Sequence, residues 1–189
     1  MEEPTNPSEW LIALANKAKE MKYDWCVENE EMSDTPPILF GALATGEGFM
    51  MPDLLEGHPT ETLPVLLNYL LHKMEEDGGV AKYEWLAYVV EGYFRPADEV
   101  ADPEGYERGT METEYKTNPA STVREGIIVT MFPWDGDALT VSVPFGMGDD
   151  GLPVFDEMTE IGSHGGGNIP DIFTAFRQFC EQRNNIRNN

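Results

Sequence analysis

The stretch from Glu125 to Gly146 constrains the fold of this chain more than any other part of the sequence. Two apolar runs rich in β-branched residues, Ile127–Phe132 and Ala138–Val143, flank Trp134-Asp135-Gly136-Asp137. An Asp-Gly pair between two such runs is a strong signal for a β-hairpin, because glycine adopts the positive φ angles that hairpin turns need. We therefore predict a pair of neighbouring antiparallel strands in the second half of the chain.

Three segments show the spacing of amphipathic helices, in which apolar residues recur every three or four positions. These segments are residues 8–22, 61–76 and 169–183. Ser8 is the predicted N-cap of the first helix, and Thr60 or Thr62 that of the second, because short hydroxyl side chains satisfy the unpaired N–H groups of a helix start. The residues of the third helix predicted to face inward are Ile169, Ile172, Phe173, Phe176 and Phe179.

The remaining apolar runs predict strands. Lys82–Phe94 carries apolar residues at odd and even positions, which indicates a central strand covered on both faces. Ile38–Ala44 and Phe49–Met51 predict two short strands joined by a glycine turn, and Leu152–Phe155 predicts another short strand. Because no βα unit repeats, the order of elements predicts an α+β fold with a mainly antiparallel sheet of about five strands and three packed helices.

Residues 97–123 interrupt this pattern with acids, Gly, Pro and Thr and show almost no apolar periodicity. Loops of this length in a compact domain are usually functional or disordered. We predict one domain over residues 1–189, with 97–123 as an acidic loop insertion and 184–189 as a frayed tail. The acids of the insertion predicted to bind a partner are Asp98, Glu99, Asp102, Glu104, Glu107, Glu112 and Glu114.

The net charge narrows the classes of partner. The chain has 35 acidic and 12 basic residues, a formal net charge of −23. Direct contact with nucleic acid or an anionic membrane is disfavoured, because phosphate contacts need Lys and Arg. A basic protein partner is favoured, since opposite charge speeds and strengthens association. The alternative is that the acidity serves solubility alone or reflects an acidic proteome.

The location of the protein is predicted from what its sequence does not contain. No apolar run reaches the length of a membrane span, and the acidic N-terminus lacks the plan of a signal peptide. The cytoplasm is therefore expected, and Cys26 and Cys180 are predicted to be thiols rather than a disulfide.

A few charged residues are candidates for chemistry. Glu91 lies in the predicted central strand and would need a cationic partner, for which Arg124 or Arg95 is available. With His164 from the glycine-rich loop 162–168, Glu91 and Arg124 would form a cleft at the end of the sheet. No cofactor is predicted. Weak candidates for a Ca²⁺ or Mg²⁺ site, for which ordinary turn chemistry is the favoured interpretation, are Asp135, Asp137, Asp149 and Asp150.

Two short motifs carry a resemblance. Val89-Val90-Glu91-Gly92-Tyr93 is followed, after a polar gap, by Arg124-Glu125-Gly126-Ile127-Ile128-Val129. This pattern resembles small uncharacterised bacterial and phage proteins in which a strand ending in Glu-Ala-Trp precedes a hairpin strand led by Arg-Glu. Here Gly92-Tyr93 stands in place of Ala-Trp. The resemblance covers residues 82–144, brings no known activity and implies an accessory protein of a phage or mobile element.

Three functional hypotheses follow from the sequence. The favoured one is a non-enzymatic acidic protein that binds and inhibits a basic, nucleic-acid-binding host partner by charge mimicry. The first alternative is a metal-dependent hydrolase or nucleotide-handling enzyme that uses surface carboxylates. The second alternative is a structural or assembly component, such as a homo-oligomer.

Overall fold

The structure is a computed structural model that describes residues 6–29, 34–76, 81–94, 110–161 and 169–187. Within these ranges it has four helices and seven strands. The helices are α1 (Pro7–Asn29), α2 (Pro59–Glu76), α3 (Thr110–Thr117) and α4 (Ile169–Arg187). The strands are β1 (Ile38–Leu43), β2 (Gly48–Pro52), β3 (Tyr83–Phe94), β4 (Arg124–Pro133), β5 (Leu139–Met147), β6 (Pro153–Phe155) and β7 (Thr159–Ile161). The predicted α+β class is confirmed.

The strands form one sheet in the order β2-β1-β3-β4-β5-β6, and β7 pairs with β5. The pairs β1/β2, β1/β3, β5/β6 and β5/β7 are antiparallel. The strand β3 lies between β1 and β4, which is the central position that its two apolar faces predict. The strands β4 and β5 are neighbours joined by residues 134–138, so the predicted hairpin is also confirmed.

The chain divides into two compact units. The first comprises residues 1–35, 90–129 and 140–165, and its core is built from α1 and the apolar positions of β4 and β5. The second comprises residues 36–89, 130–139 and 166–189, and its core is built from β1, α2, the first part of β3 and α4. The apolar stripe predicted for α2 is buried, with Leu63, Leu67, Leu70, Leu71 and Met74 inside.

Both predicted N-caps were wrong by a few residues. The side chain of Asn6, not Ser8, begins α1, because its Oδ1 accepts a hydrogen bond from the Glu9 N–H at 3.0 Å. His58, not a threonine, begins α2, since its Nδ1 accepts from the Thr60 N–H at 3.2 Å. In both helices a proline occupies the first helical position, where its missing N–H costs nothing.

The helix α1 runs seven residues beyond its predicted end at residue 22, through Asn29. Its buried face continues at intervals of four residues through Ala18, Lys22 and Cys26. Because lysine is almost never fully buried unless it is paired, the pattern of apolar residues does not predict that the buried face of α1 continues past Lys22.

Two predictions for the second half of the chain need correction. The insertion contains a helix, α3, where a loop was predicted, and residues 97–109 of the insertion lie outside the described residues. The helix α4 extends through Arg187, past the predicted start of the frayed tail. Asn184 holds this last part, since its side chain accepts from the Ala81 N–H at 2.9 Å and donates to the Ala81 carbonyl at 3.1 Å.

The buried face of α4 also differs from prediction at one position. Ile169, Phe173 and Phe176 are buried as expected and Ile172 is half-buried, but Phe179 is 46% exposed and Cys180 takes the inward position. Cys26 and Cys180 are buried thiols that form no disulfide within the described residues, as predicted. Burial raises the pKa of the Cys180 thiol to about 12, which keeps it protonated at neutral pH.

A close backbone approach in the first unit makes Gly126 sensitive to substitution. A Cβ at this position would lie 2.5 Å from the Val143 carbonyl oxygen and 2.9 Å from Pro144 Cα. We expect Gly126→Ala to lower the free energy of unfolding by about 1–3 kcal/mol, because backbone must move to admit the methyl group. Urea denaturation measures this change.

Gly146 provides the matched control on the neighbouring strand. A Cβ there would meet no atom within 4 Å. Gly146→Ala should therefore change the free energy of unfolding by less than about 1 kcal/mol. Equal losses for the two substitutions would contradict the packing described for β4 and β5.

Candidate functional site

A buried ion pair lies in the first unit, between α1 and the end of β3. Lys22 Nζ is 2.7 Å from Glu91 Oε2, and the side chains are 2% and 9% exposed. The strand carries Glu91 to this position directly after Val89 and Val90, and the apolar face of α1 carries Lys22. Glu91 is therefore the paired carboxylate that the sequence predicts, but its partner comes from the first helix.

The second oxygen of Glu91 is also occupied. Oε1 accepts hydrogen bonds from the Thr35 backbone N–H at 2.8 Å and from the Thr35 hydroxyl. Lys22 Nζ lies 5.0 Å from the centre of the Phe145 ring, within range of a cation–π interaction. Because each oxygen of Glu91 accepts at least one hydrogen bond from the described residues, this pair joins α1 and the segment around Thr35 to the end of β3.

Of the two predicted partners of Glu91, only Arg124 lies within the described residues, and it does not take part in this pair. Arg124 is exposed, and its Nη1 donates to the Val123 carbonyl at 3.5 Å. Arg95 and His164 lie outside the described residues. Sequence reasoning missed Lys22 because its position on α1 also suited a solvated cation, and only its four-residue spacing from Ala18 and Cys26 signals burial.

Glu125 is a half-buried carboxyl group beside this pair. Burial raises the pKa of Glu125, and the negative charges of Asp34 and Glu91 raise it further, while Lys22 opposes the shift. A carboxyl group with a raised pKa is a candidate for acid–base chemistry when it borders a cleft. Neither of the two concavities described below includes Glu125.

A second buried carboxylate lies in the second unit. Asp53 is buried, and its Oδ2 accepts from the Thr62 hydroxyl and from the Tyr88 hydroxyl, the latter at 3.2 Å. Its Oδ1 accepts from the Leu55 N–H at 3.2 Å. Burial raises the pKa of Tyr88, and the charge of Asp53 adds to this shift. The group joins the loop after β2 to α2 and β3, and its oxygens are satisfied.

The outer surface of α1 forms an open concavity of about 420 Å³ in the first unit. Its lining combines two carboxylates, two aromatic rings and one cation. The residues are Lys19, Glu20, Tyr23, Asp24 and Phe155. Lys19 Nζ lies 5.6 Å from the centre of the Phe155 ring. Carboxylates beside aromatic faces are a setting in which cationic side chains bind favourably.

The acids predicted to bind a partner are only partly within the described residues. Glu112 and Glu114 lie on α3, where Glu112 pairs with Lys116 and Glu114 accepts from the Ser121 hydroxyl at 2.8 Å. The other predicted acids lie outside the described ranges, and they are Asp98, Glu99, Asp102, Glu104 and Glu107. The α1 concavity was not predicted, although Glu20, Asp24 and Glu28 recur every four residues.

The weak metal candidates occupy turns. Asp135 and Asp137 flank Gly136, whose φ is +133°, in the loop between β4 and β5. Asp150 Oδ1 accepts from the Leu152 N–H at 3.1 Å, which is ordinary turn chemistry. Across the described ranges, no group of three or more His, Cys, Asp or Glu side chains is placed to hold a metal ion.

The buried ion pair can be tested by removing the lysine charge alone and then both charges together. We expect Lys22→Met to lower the free energy of unfolding by about 3–5 kcal/mol, because Glu91 is left buried without its cation. The double substitution Lys22→Met and Glu91→Gln should recover most of this loss, since the amide keeps an acceptor for Thr35. Chemical denaturation of the three proteins measures both effects.

Lys17 is the control for this experiment, because it forms an exposed pair with Glu20 on the same helix, at 3.0 Å. Lys17→Met should cost less than about 1 kcal/mol. A double variant as unstable as the Lys22 single variant would show that packing, not charge pairing, explains the loss.

Glu125 predicts a specific dependence of stability on pH. Because its folded pKa is raised above the ordinary value of 4.5, the folded state binds the proton more tightly than the unfolded state. This contribution to stability is fully present below pH 4.5 and is lost as the pH rises through the folded pKa. We expect Glu125→Gln to be more stable than the wild type at neutral pH, with an advantage that shrinks as the pH falls toward 4.5.

Denaturation curves collected over a series of pH values measure this difference. Arg124→Gln, at the preceding exposed position, controls for a general change in charge. A stability difference between wild type and Glu125→Gln that is constant with pH would contradict the assignment.

The fold and the candidate site are interpreted from their own residues, because no similar protein identifies them. No helix in the described part of the chain is both long enough and apolar enough to cross a membrane. No protein-family model, no curated protein and no solved structure matches this chain.

Proposed function

We propose that this chain is a non-enzymatic acidic interaction protein that binds a basic protein partner, of the kind that itself contacts nucleic acid. The observation that carries the proposal is the α1 concavity, where carboxylates and aromatic rings line one open surface. The net charge of −23 supports it, because a strongly negative protein attracts basic partners over long range.

Several cations of the described residues already have partners within the protein. Lys22 is buried, and Lys17, Lys116 and Arg183 each lie within ion-pairing distance of a glutamate. Arg177 donates to two backbone carbonyls. Lys17 and Lys116 pair with Glu20 and Glu112 on the proposed surface, and a basic partner would compete with these two exposed pairs. With 35 acids against 12 bases, a large excess of carboxylates remains for an external partner.

The acids of α1 are arranged along one side of the helix. Glu20, Asp24 and Glu28 are exposed and follow one another every four residues, which spaces them by about 6 Å along the helix axis. Phosphates follow each DNA strand at about 3.4 Å along the helix axis. The acidic side of α1 would thus present a row of regularly spaced negative charges, as a phosphate backbone does, which fits mimicry of a nucleic acid toward a basic groove.

Lys19 indicates how a partner would engage this surface. Its ammonium group already lies over the Phe155 ring, while Glu20 and Asp24 border the same concavity. A lysine or arginine from a basic partner would meet the carboxylates and the Tyr23 ring of the same concavity, and it would displace Lys19 to reach the Phe155 ring. The acids of residues 97–123 remain a proposed extension of this surface, and Glu112 and Glu114 are its described members.

The first test is capture of a partner at low salt, followed by measurement of its affinity with purified proteins. We expect the variant Glu20→Gln, Asp24→Asn, Glu28→Gln to bind about tenfold more weakly, because each lost exposed charge pair contributes about 0.2–1 kcal/mol. The affinity should fall as salt rises from about 50 to about 300 mM, and more steeply for the wild type than for the variant. A DNA duplex should compete if the surface mimics phosphates.

A variant with the same change in net charge separates this surface from general electrostatics. Glu47→Gln, Glu56→Gln, Glu76→Gln removes three exposed acids from the second unit. This variant should retain most of the affinity. Equal weakening by both variants, or an affinity that does not respond to salt, would contradict the proposed surface.

A further inference from the structure

A small, partly open pocket of about 100 Å³ lies in the second unit, between α4 and the loop that joins β4 to β5. Aromatic rings form its walls, and the rings of Phe132 and Phe173 stack with their centres 3.9 Å apart. Arg177 and Asp137 bring opposite charges to the same space, and Tyr83 brings a hydroxyl-bearing ring. The proposed partner surface on α1 belongs to the other unit, so this pocket is independent of it.

Arg177 is held in place while part of its guanidinium group is left unused. Its Nη1 donates to the Trp134 carbonyl at 3.1 Å and to the Gly136 carbonyl at 3.4 Å. A guanidinium has five N–H donors. Within the described ranges, Nε and Nη2 make no hydrogen bond, and no carboxylate lies within ion-pairing distance of this arginine. The loop carbonyls thus orient a cation that has donors to spare.

Tyr83 is the second unused donor at this pocket. Its side chain is 1% exposed, and its ring is held edge-on to Trp134 at 4.9 Å and stacked on Phe176 at 6.2 Å. No hydrogen-bond partner for its hydroxyl lies in the described part of the chain. Burial raises the pKa of Tyr83, and the nearby charge of Arg177 opposes this shift. A buried hydroxyl without a partner is uncommon and calls for an explanation such as a bound molecule.

We propose that this pocket binds a small carboxylate, with Arg177 and Tyr83 as its hydrogen-bond donors. Carboxylate oxygens only accept hydrogen bonds, and they match the planar fork of an arginine. The pocket has room for about three water molecules at roughly 30 Å³ each, so the ligand is small. Asp137 is exposed at the same pocket and suits an ammonium group next to the carboxylate, as in a small amino acid.

The test uses four defined probes at constant pH and ionic strength: acetate, propionate, glycine and alanine. Binding by any of them should be saturable in titration calorimetry and should raise the melting temperature of the full chain, because the ligand binds the folded state. Chloride at the same concentration is the reference. Absence of saturable binding by all four probes would overturn the proposal and leave water as the occupant.

Tyr83→Phe tests the assignment of the donor. This change removes only the hydroxyl, which has no partner to lose within the described residues, so the variant should fold with unchanged or higher stability. Its affinity for the bound probe should fall about tenfold, which is the loss of one good hydrogen bond. Unchanged affinity in a folded Tyr83→Phe variant would also overturn the proposal.

Asp137→Asn distinguishes the two sources of the carboxylate. If the ligand is an amino acid, this variant should weaken glycine and alanine, whose ammonium group loses its partner, while acetate and propionate bind at least as tightly as before. If the ligand is a simple monocarboxylate, glycine and alanine should bind no more tightly than acetate and propionate to the wild type, and removal of the negative charge should not weaken any of the four probes. Asp135→Asn, in the same loop but not lining the pocket, is the matched control and should change neither class of affinity. Identical behaviour of Asp135→Asn and Asp137→Asn would argue against a contact with Asp137.

Discussion

The ion pair between Lys22 and Glu91 is the constraint on which the first unit depends. It places one of only 12 basic residues inside a protein that carries 35 acids. A buried pair gains little net stability, because desolvation offsets most of the Coulomb attraction. Its value lies in position, because Glu91 accepts from Lys22 through one oxygen and from Thr35 through the other, which joins three segments of the first unit. The pair therefore fixes which turn of α1 meets the end of β3.

The small number of basic residues also determines the charge of the surface. A chain with net charge −23 repels itself, and each cation used for internal order is one that no longer neutralises an exposed acid. This repulsion is present along α1, where Glu20, Asp24 and Glu28 share one side of the helix. A basic partner would reduce the repulsion between these acidic side chains. Solubility alone does not require the aromatic rings of Tyr23 and Phe155 beside them.

The parts of the fold that sequence analysis predicted are those with a strong period and a clear turn. The hairpin of β4 and β5, the apolar stripe of α2 and the central position of β3 all follow from local patterns. The missed features depend on contacts distant in sequence. Lys22 and Glu91 are 69 positions apart, and the strand β7, with three residues, exists because β5 offers it an edge. The short helix α3 has little apolar periodicity from which to predict it.

At the candidate sites too, features that depend on neighbouring residues were predicted, and contacts between segments far apart in the chain were missed. Sequence reasoning identified Glu91 as a carboxylate in need of a partner, because burial of a strand acid is visible from its neighbours. It could not identify the partner, because several topologies are compatible with the sequence and they would bring Lys22, Arg95 or Arg124 to the carboxylate. The α1 concavity was missed because its aromatic ring from Phe155 arrives from β6, far along the chain.

The buried polar groups of the described residues are of two kinds: those whose hydrogen bonds hold elements of the fold together, and those that have no hydrogen-bond partner within these residues. Glu91 and Asp53 each have donors on both carboxylate oxygens, so their hydrogen-bonding capacity is used in holding elements together. Tyr83 is buried as deeply, yet within the described residues its hydroxyl has no hydrogen-bond partner. Folding alone gives no reason to keep a hydroxyl there, because phenylalanine would fill the same space without the cost of desolvation. Arg177, whose Nε and Nη2 make no hydrogen bond within the described residues, lines the same pocket, and these two groups together are the basis of the proposed carboxylate site.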